Sequence, residues 1–595
     1  MAPPRFSPSF GFALPDRLAP ARRPPDVQTL ARWLAELPLA NVSATGRQIH
    51  EALYRTNRIE LAPRLRLALL RAFAPAAEAV LEQLRRRYVG QPLPLAGRAA
   101  KAAAAARLLT AELALGFRAT LSDATEDAAL GPAQADPSAL PALAEAMLWT
   151  ARELLERYLV YAPEPGELWR MLHRLYAYAE HAARLGRDTL AAQTAYRRAV
   201  ALSLAQPHQL LPGEALEVDE LLVAWAERVA IQDRAPDAGA FCLDLASANP
   251  PHRVASRGET RGSDARTVVL DGLLEAVYAR LKALRAEAAR HGGRLRLARR
   301  QERDRLQRLA RAWGAPPRRR AERHIRLGRI EMAGGLSAVH HHVTGGRPFT
   351  PELDEVRIHR ADLASVGGRL SLVPRDFEPW RLEEEESRLA TGIVKPRTSD
   401  FDPDRNALDM WTKVYATRIQ EPAEQARPYP LHPWQQRNEG PGGIGVFCLD
   451  DCTAGVRTGE LVAFRGADGE PWSVGAVRWL RVPRPAAVEL GVERLGTSAR
   501  GLAVRAVAGA GVGSEYFRAL LVPDGEPEAA GRFLVTPPAV YDVGTQVVLN
   551  LGERLRYARL VRVVDASAGY ACFTYELIEP PKGEQERIEA LRQVL

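Results

Sequence analysis

The chain has little cysteine, little lysine and no long apolar run. Four cysteines, Cys242, Cys448, Cys452 and Cys572, are scattered over 595 residues, too few and too dispersed for the disulfide framework of a secreted scaffold. No stretch of about 18 consecutive apolar residues occurs, so the sequence predicts no membrane-spanning helix. The opening segment MAPPRFSPSFGFALPDRLAPARRPP lacks the continuous apolar core of a signal peptide. Together these shortages predict a cytoplasmic protein. Also missing are a G-x-S-x-G elbow, a P-loop, a dinucleotide-binding glycine fingerprint and an H-E-x-x-H helix. No catalytic residue is therefore assigned, and the chain is not expected to be an enzyme.

What charge there is comes mostly from arginine: only 5 of the 81 basic residues are lysine. Set against 72 acids they leave a formal charge of +9, mild for this length, so partners must be argued from local clusters. The densest cluster is residues 294–329, with 14 arginines against Glu302, Asp304 and Glu322. Leu306, Leu309 and Trp313 give that segment an apolar helical face, and no aromatics interleave with the arginines as a base-stacking platform requires. The reading is a solvated basic face, with nucleic acid not expected as a partner.

A chain this long exceeds what one hydrophobic core supports, so several domains are expected. Residues 1–26, rich in proline and arginine, read as an unstructured arm. Residues 27–235 read as helical almost throughout. ALPALAEAMLWTARELLERYLVYA sets Leu148, Leu155 and Leu159 at helical spacing, and RDTLAAQTAYRRAVALSLAQP opens on Asp188 as an N-cap and stops before Pro207. Trp169 to Ala205 resembles a helical-hairpin repeat, but no fixed period recurs, which leaves a helical bundle or a degenerate repeat array. Residues 236–317 read as a connector: one strand and turn in GAFCLDLASANPP, then two helices from about 266 to 313. Residues 350–430, with LEEEES and PRTSDFDPDRN, read as a polar insertion or partly disordered linker. Beyond 431 the runs LVAFRG, PWSVGAVRWLRV, AAVELGVERLG, FRALLVP, QVVLNLG, YARLVRVVDA and YACFTYELIE, divided by turn residues, predict two small barrels broken near Ala499 to Gly513.

The segment WQQRNEGPGGIGVF, residues 434–447, places Asn438, Gly440 and Gly443 at spacings of two and three before a strand. With the following TGELVAFR, WSVGAVRWL and VELGVERLG it resembles the PilZ domain, a small β-barrel family that binds the bacterial second messenger cyclic di-GMP. The family usually has Ser at the middle motif position, where this chain has Gly440, so one hydroxyl donor is missing. Its other half is an Arg-x-x-x-Arg pair at the barrel entry. In this chain Arg319 and Arg323 have that spacing, and they can meet the hairpin if 350–430 is an insertion within the barrel. Arginine suits the ligand because a guanidinium pairs with phosphate oxygens in fork geometry and also stacks on or hydrogen-bonds to guanine. Asn offers both donor and acceptor to a base edge, and glycine lets backbone approach closely.

Periodicity and composition, with the resemblance supplying the first barrel, give an α+β multidomain protein: a helical bundle or degenerate helical repeats (27–235), the connector, a PilZ-like β-barrel with its insertion (318–496), and a second small β-barrel (497–595). The resemblance implies a non-enzymatic receptor or adaptor whose ligand-binding residues are Arg319, Arg323, Asn438, Gly440 and Gly443, with cyclic di-GMP as ligand and a protein partner engaged through the helical region. The competing reading is a PilZ-like interaction protein that has lost its ligand, and the hairpin itself can be read as a plain glycine-rich turn.

Three other constellations are set aside. HHH at 340–342, read on a strand, puts adjacent histidines on opposite faces with no carboxylate or cysteine at ligand spacing, so no metal is expected. Cys448 and Cys452 have no second pair to complete a zinc site, and read as a buried strand cysteine followed by a turn. Trp434, Trp472 and Trp479 could stack on a base, but Trp472 and Trp479 differ by an odd number, which on a regular strand sends one of them to the core.

Overall fold

A computed structural model describes residues 10–19, 26–38, 41–125, 136–254, 264–290, 296–314, 324–355, 357–358, 429–449, 452–466, 470–509, 511–512, 515–523 and 532–586. By contacts these form two units. One comprises residues up to Arg320 with Leu449–Thr458 and Trp479–Glu489, and the other Ala321–Cys448, Gly459–Arg478 and Leu490 onward.

The first unit is helical: α1 (Val27–Glu36), α2 (Val42–Asn57), α3 (Pro63–Tyr88), α4 (Gly97–Thr125), α5 (Ala139–Tyr158), α6 (Gly166–Arg184), α7 (Leu190–Leu204) and α8 (Glu214–Trp225). Asp26 caps α1 by accepting from the Thr29 N–H at 2.7 Å, and Asn41 caps α2 through Ala44. Asp188 stands one residue before the N-cap of α7, Thr189, and accepts from the Leu190 N–H at 3.1 Å. Leu143, Met147, Leu155, Trp169, Leu172 and Tyr196 belong to one continuous core.

The expected connector is no loose spacer. A four-stranded sheet of β1 (Ala230–Gln232), β2 (Phe241–Asp244), β3 (His252–Arg253) and β4 (Ala265–Val269), in the order β1-β4-β2-β3, adds Leu243 and Val268 to the helical core. The helix expected from about 266 begins only at α9 (Asp271–Arg290), because the Thr267-Val268-Val269 run is β-branched and favours a strand. On α10 (Leu297–Trp313), Leu306, Leu309 and Trp313 are buried. Its Arg305 and Arg308 pair with Glu217 and Glu214, so part of the basic face is already neutralised.

Two closed six-stranded barrels follow, most of their strand residues in the second unit. In the first, β5 (His324–Gly334), β6 (His432–Gly440), β7 (Gly443–Cys448), β8 (Leu461–Gly466), β9 (Ser473–Arg481) and β10 (Val488–Gly496) run in the order β10-β7-β6-β5-β8-β9. β5 and β6 pair across the expected insertion, most of which lies outside the described residues. After Gly335, at φ +89°, α11 (Leu336–Val343) carries the three histidines. They are helical, not extended: Leu336, Val339 and Val343 recur at helical spacing and face a common core. Among the described residues no group of three or more potential ligands could hold a metal.

The second barrel comprises β11 (Arg500–Ala508), β12 (Phe517–Pro523), β13 (Arg532–Thr536), β14 (Gln546–Asn550), β15 (Leu555–Ala566) and β16 (Ala571–Ile578), in the order β11-β12-β13-β16-β15-β14. The stretch expected to break the two barrels is largely β11 itself, with Leu502, Val504 and Ala506 alternating into the core. Its glycine and alanine content hides a regular strand. The two barrels share a cluster in which Leu336, Leu461 and Val474 meet Leu520, Val535, Tyr570 and Cys572.

Candidate functional site

Glycines build the β6–β7 hairpin. Gly440 and Gly443 pair across Pro441 and Gly442. Gly443 has φ +150°, and a Cβ there would lie 2.0 Å from the Val492 carbonyl oxygen, so β10 can pass this close only because position 443 is bare. The Arg494 N–H then donates to the Gly442 carbonyl at 3.0 Å, fastening the turn to β10. Gly445 stands opposite Asn438; a Cβ on it would come within 2.8 Å of Asn438 Oδ1. Its bareness makes room for the amide.

That Oδ1 is buried and has no hydrogen-bond partner. Leaving a buried acceptor unpaired costs about 1–3 kcal/mol, which a donor on a bound molecule would recover. The next residue, Glu439, accepts from Arg494 Nη2 at 2.7 Å, Arg326 Nη1 at 2.5 Å and Gln436 Nε2 at 3.2 Å. Burial alone would push the Glu439 carboxyl up; the hydrogen bonds from Arg494, Arg326 and Gln436 outweigh it and hold the carboxyl below its ordinary value.

The structure brings Asn438, Gly440 and Gly443 together in one turn. Arg319 and Arg323 lie outside the described residues. The strand that follows them starts at His324, which pairs with Glu439, while Ile325 pairs with Asn438. The chain therefore enters β5 level with the hairpin. Sequence reading missed Glu439, Arg326 and Arg494; Glu439 lay in plain view between Asn438 and Gly440, but its partner on β10 is 55 residues away and no short motif links them.

Trp434 is the core residue, whereas Trp472 and Trp479 are both half-buried. Trp472 lies against the Arg465 guanidinium at 4.4 Å and the His342 ring at 5.3 Å. Cys448 is half-buried at the end of β7 and Cys452 is buried.

A six-stranded barrel entered beside an Asn-x-Gly-x-x-Gly hairpin defines the class: a PilZ-domain protein. Three consecutive models of one family match the chain, described as the N-terminal domain of cyclic-di-GMP receptor FimW over residues 28–237, its middle PilZ domain over 240–500 and its C-terminal β-barrel domain over 502–578. The chain belongs to this PilZ-domain family. It is 28% identical over 566 residues to the cyclic-di-GMP receptor FimW of Pseudomonas aeruginosa, spanning 92% of this chain and 90% of that protein. No solved structure matches.

Proposed function

We propose that the first barrel binds cyclic di-GMP at the β6–β7 hairpin and that the protein is a non-enzymatic receptor or adaptor. The observation that carries this is Asn438 Oδ1, buried and unpaired in a turn whose glycines keep the backbone open. A guanine edge offers N–H donors to such an acceptor. Arg323, which immediately precedes His324 of β5 in the sequence, and Arg319 supply guanidinium forks for the phosphodiesters. The relative's description as a cyclic-di-GMP receptor supports the same ligand. With no catalytic motif in the sequence, the output of such a receptor passes to a protein partner, for which the helical region offers the surface.

Gly440 favours the second reading, an interaction module that has lost its ligand, because it removes a hydroxyl that the family usually supplies. Calorimetric titration of the full chain with cyclic di-GMP separates the two. The receptor reading expects saturable binding that weakens about tenfold or more in Asn438→Ala, the effect of losing a buried hydrogen bond. Absence of heat up to millimolar ligand would hand the case to the interaction module.

A further inference from the structure

The hairpin holds a guanidinium that the Asn-x-Gly-x-x-Gly motif does not include. Arg494, on β10, is only 15% exposed along its side chain and lies 5.7 Å from the centroid of the Phe464 ring. Its Nη2 donates to Glu439, its Nη1 reaches the Gly440 carbonyl at a long 3.5 Å, and its Nε is buried with no partner. An arginine has five N–H donors in a fixed fork, and this one uses them poorly. One residue before the carboxylate partner of Arg494, Asn438 Oδ1 is likewise buried and unpaired. That partner is inserted between the two motif residues Asn438 and Gly440.

We propose that Arg494 is a further ligand-contacting residue of the cyclic dinucleotide site, reading a phosphodiester, and that Glu439 is the positioning residue that holds it in the free protein; this rests on the ligand reading above. A carboxylate and a phosphodiester present similar paired oxygens to a guanidinium. Glu439 engages Arg494 through one oxygen only, so an arriving phosphodiester can take over that Nη2 donor and fill the fork that Glu439 leaves half used. Arg326, 61% exposed on the other oxygen of Glu439, keeps that carboxylate paired once Arg494 is released. The arrangement also sets a threshold. A weakly binding anion must displace an internal carboxylate and gains little, whereas a ligand with two phosphodiesters and two base edges gains enough elsewhere to do so.

The full chain and three variants, Arg494→Ala, Glu439→Gln and the double variant, are titrated calorimetrically with cyclic di-GMP, and ligand-free unfolding midpoints are recorded for each. Arg494→Ala alone is ambiguous, because it strips Glu439 of a partner and leaves a charge that repels the ligand. The double variant removes that charge. The account expects Glu439→Gln to bind about threefold or more tighter than the wild type, since the glutamine oxygen still accepts from Arg494 but no longer opposes an anion. It expects the double variant to bind about tenfold or more weaker than Glu439→Gln. A merely structural Arg494 would leave the double variant equal to Glu439→Gln, which overturns this inference while the ligand reading stands. Should the double variant fail to fold, Arg494→Lys with Glu439→Gln replaces it. A lysine keeps the charge without the fork, and the same tenfold loss is required of it. Failure of the wild type to bind overturns both readings together.

Discussion

At the scale of single residues, the hairpin is a balance between bare positions and one unpaired amide. Gly443 and Gly440 belong to the same motif but do different work. Position 443 is fixed by sterics, since a side chain there meets the Val492 carbonyl. Gly443→Ala should therefore destabilise the barrel by about 1–3 kcal/mol, the usual cost of overpacking, read as a lower denaturant midpoint of the second unit before any ligand is added. Gly440 ends β6 in strand conformation, where a hydroxyl can be restored. Gly440→Ser should leave the midpoint near wild type and tighten cyclic di-GMP binding by roughly 0.5–1.5 kcal/mol, the worth of a neutral hydrogen bond. Equal loss of stability in both variants would show that the turn tolerates no Cβ at all. These roles were partly legible in the sequence, because three motif residues sit within one turn. Arg494 was not, because nothing local announces which strand closes a barrel.

At the scale of elements, periodicity served where side chains repeat on one face and failed where the elements are short or small-residued. β11 was hidden by its glycine and alanines, β4 by its brevity beside a helix, and α11 by three histidines next to a strand. Pairs distant in sequence were hidden altogether, such as His173 of α6 with Tyr196 of α7. His173 Nε2 lies 2.9 Å from the Asn249 carbonyl, which can only accept, so Nε2 carries the proton and Nδ1 accepts from the Tyr196 hydroxyl at 2.6 Å. Burial, opposed more weakly by the Asn249 carbonyl and the Asp244 charge, pushes this imidazole down to about 4 from 6.5. The unfolded chain thus takes up a proton that the folded unit refuses, and stability is lost as pH falls from 6.5 towards 4. His208 is pushed down to about 4 by burial in the same way. Each histidine contributes at most about 1.4 kcal/mol per pH unit. Denaturant titrations of the helical unit between pH 7 and 5 should show falling stability, and His173→Gln should flatten the profile. An unchanged slope in that variant would mean that His173 is protonated in the folded state.

At the scale of the molecule, the second unit carries two barrels whose shared core includes α11, joined by the short link between β10 and β11. Length, helical periodicity and the run of short strands made the order of a helical region and two barrels legible from the sequence. The pairing of β5 with β6 across the insertion was suggested only by the spacing of two arginines, because sequence patterns carry little about contacts so far apart. The central claim is that cyclic di-GMP binds where β5, β6, β7 and β10 converge. Hydrogen–deuterium exchange of the full chain with and without saturating cyclic di-GMP tests it most directly. The account predicts ligand-dependent protection concentrated in peptides covering residues 434–447 and 490–496. Protection confined to other segments, or none at saturation, would contradict it.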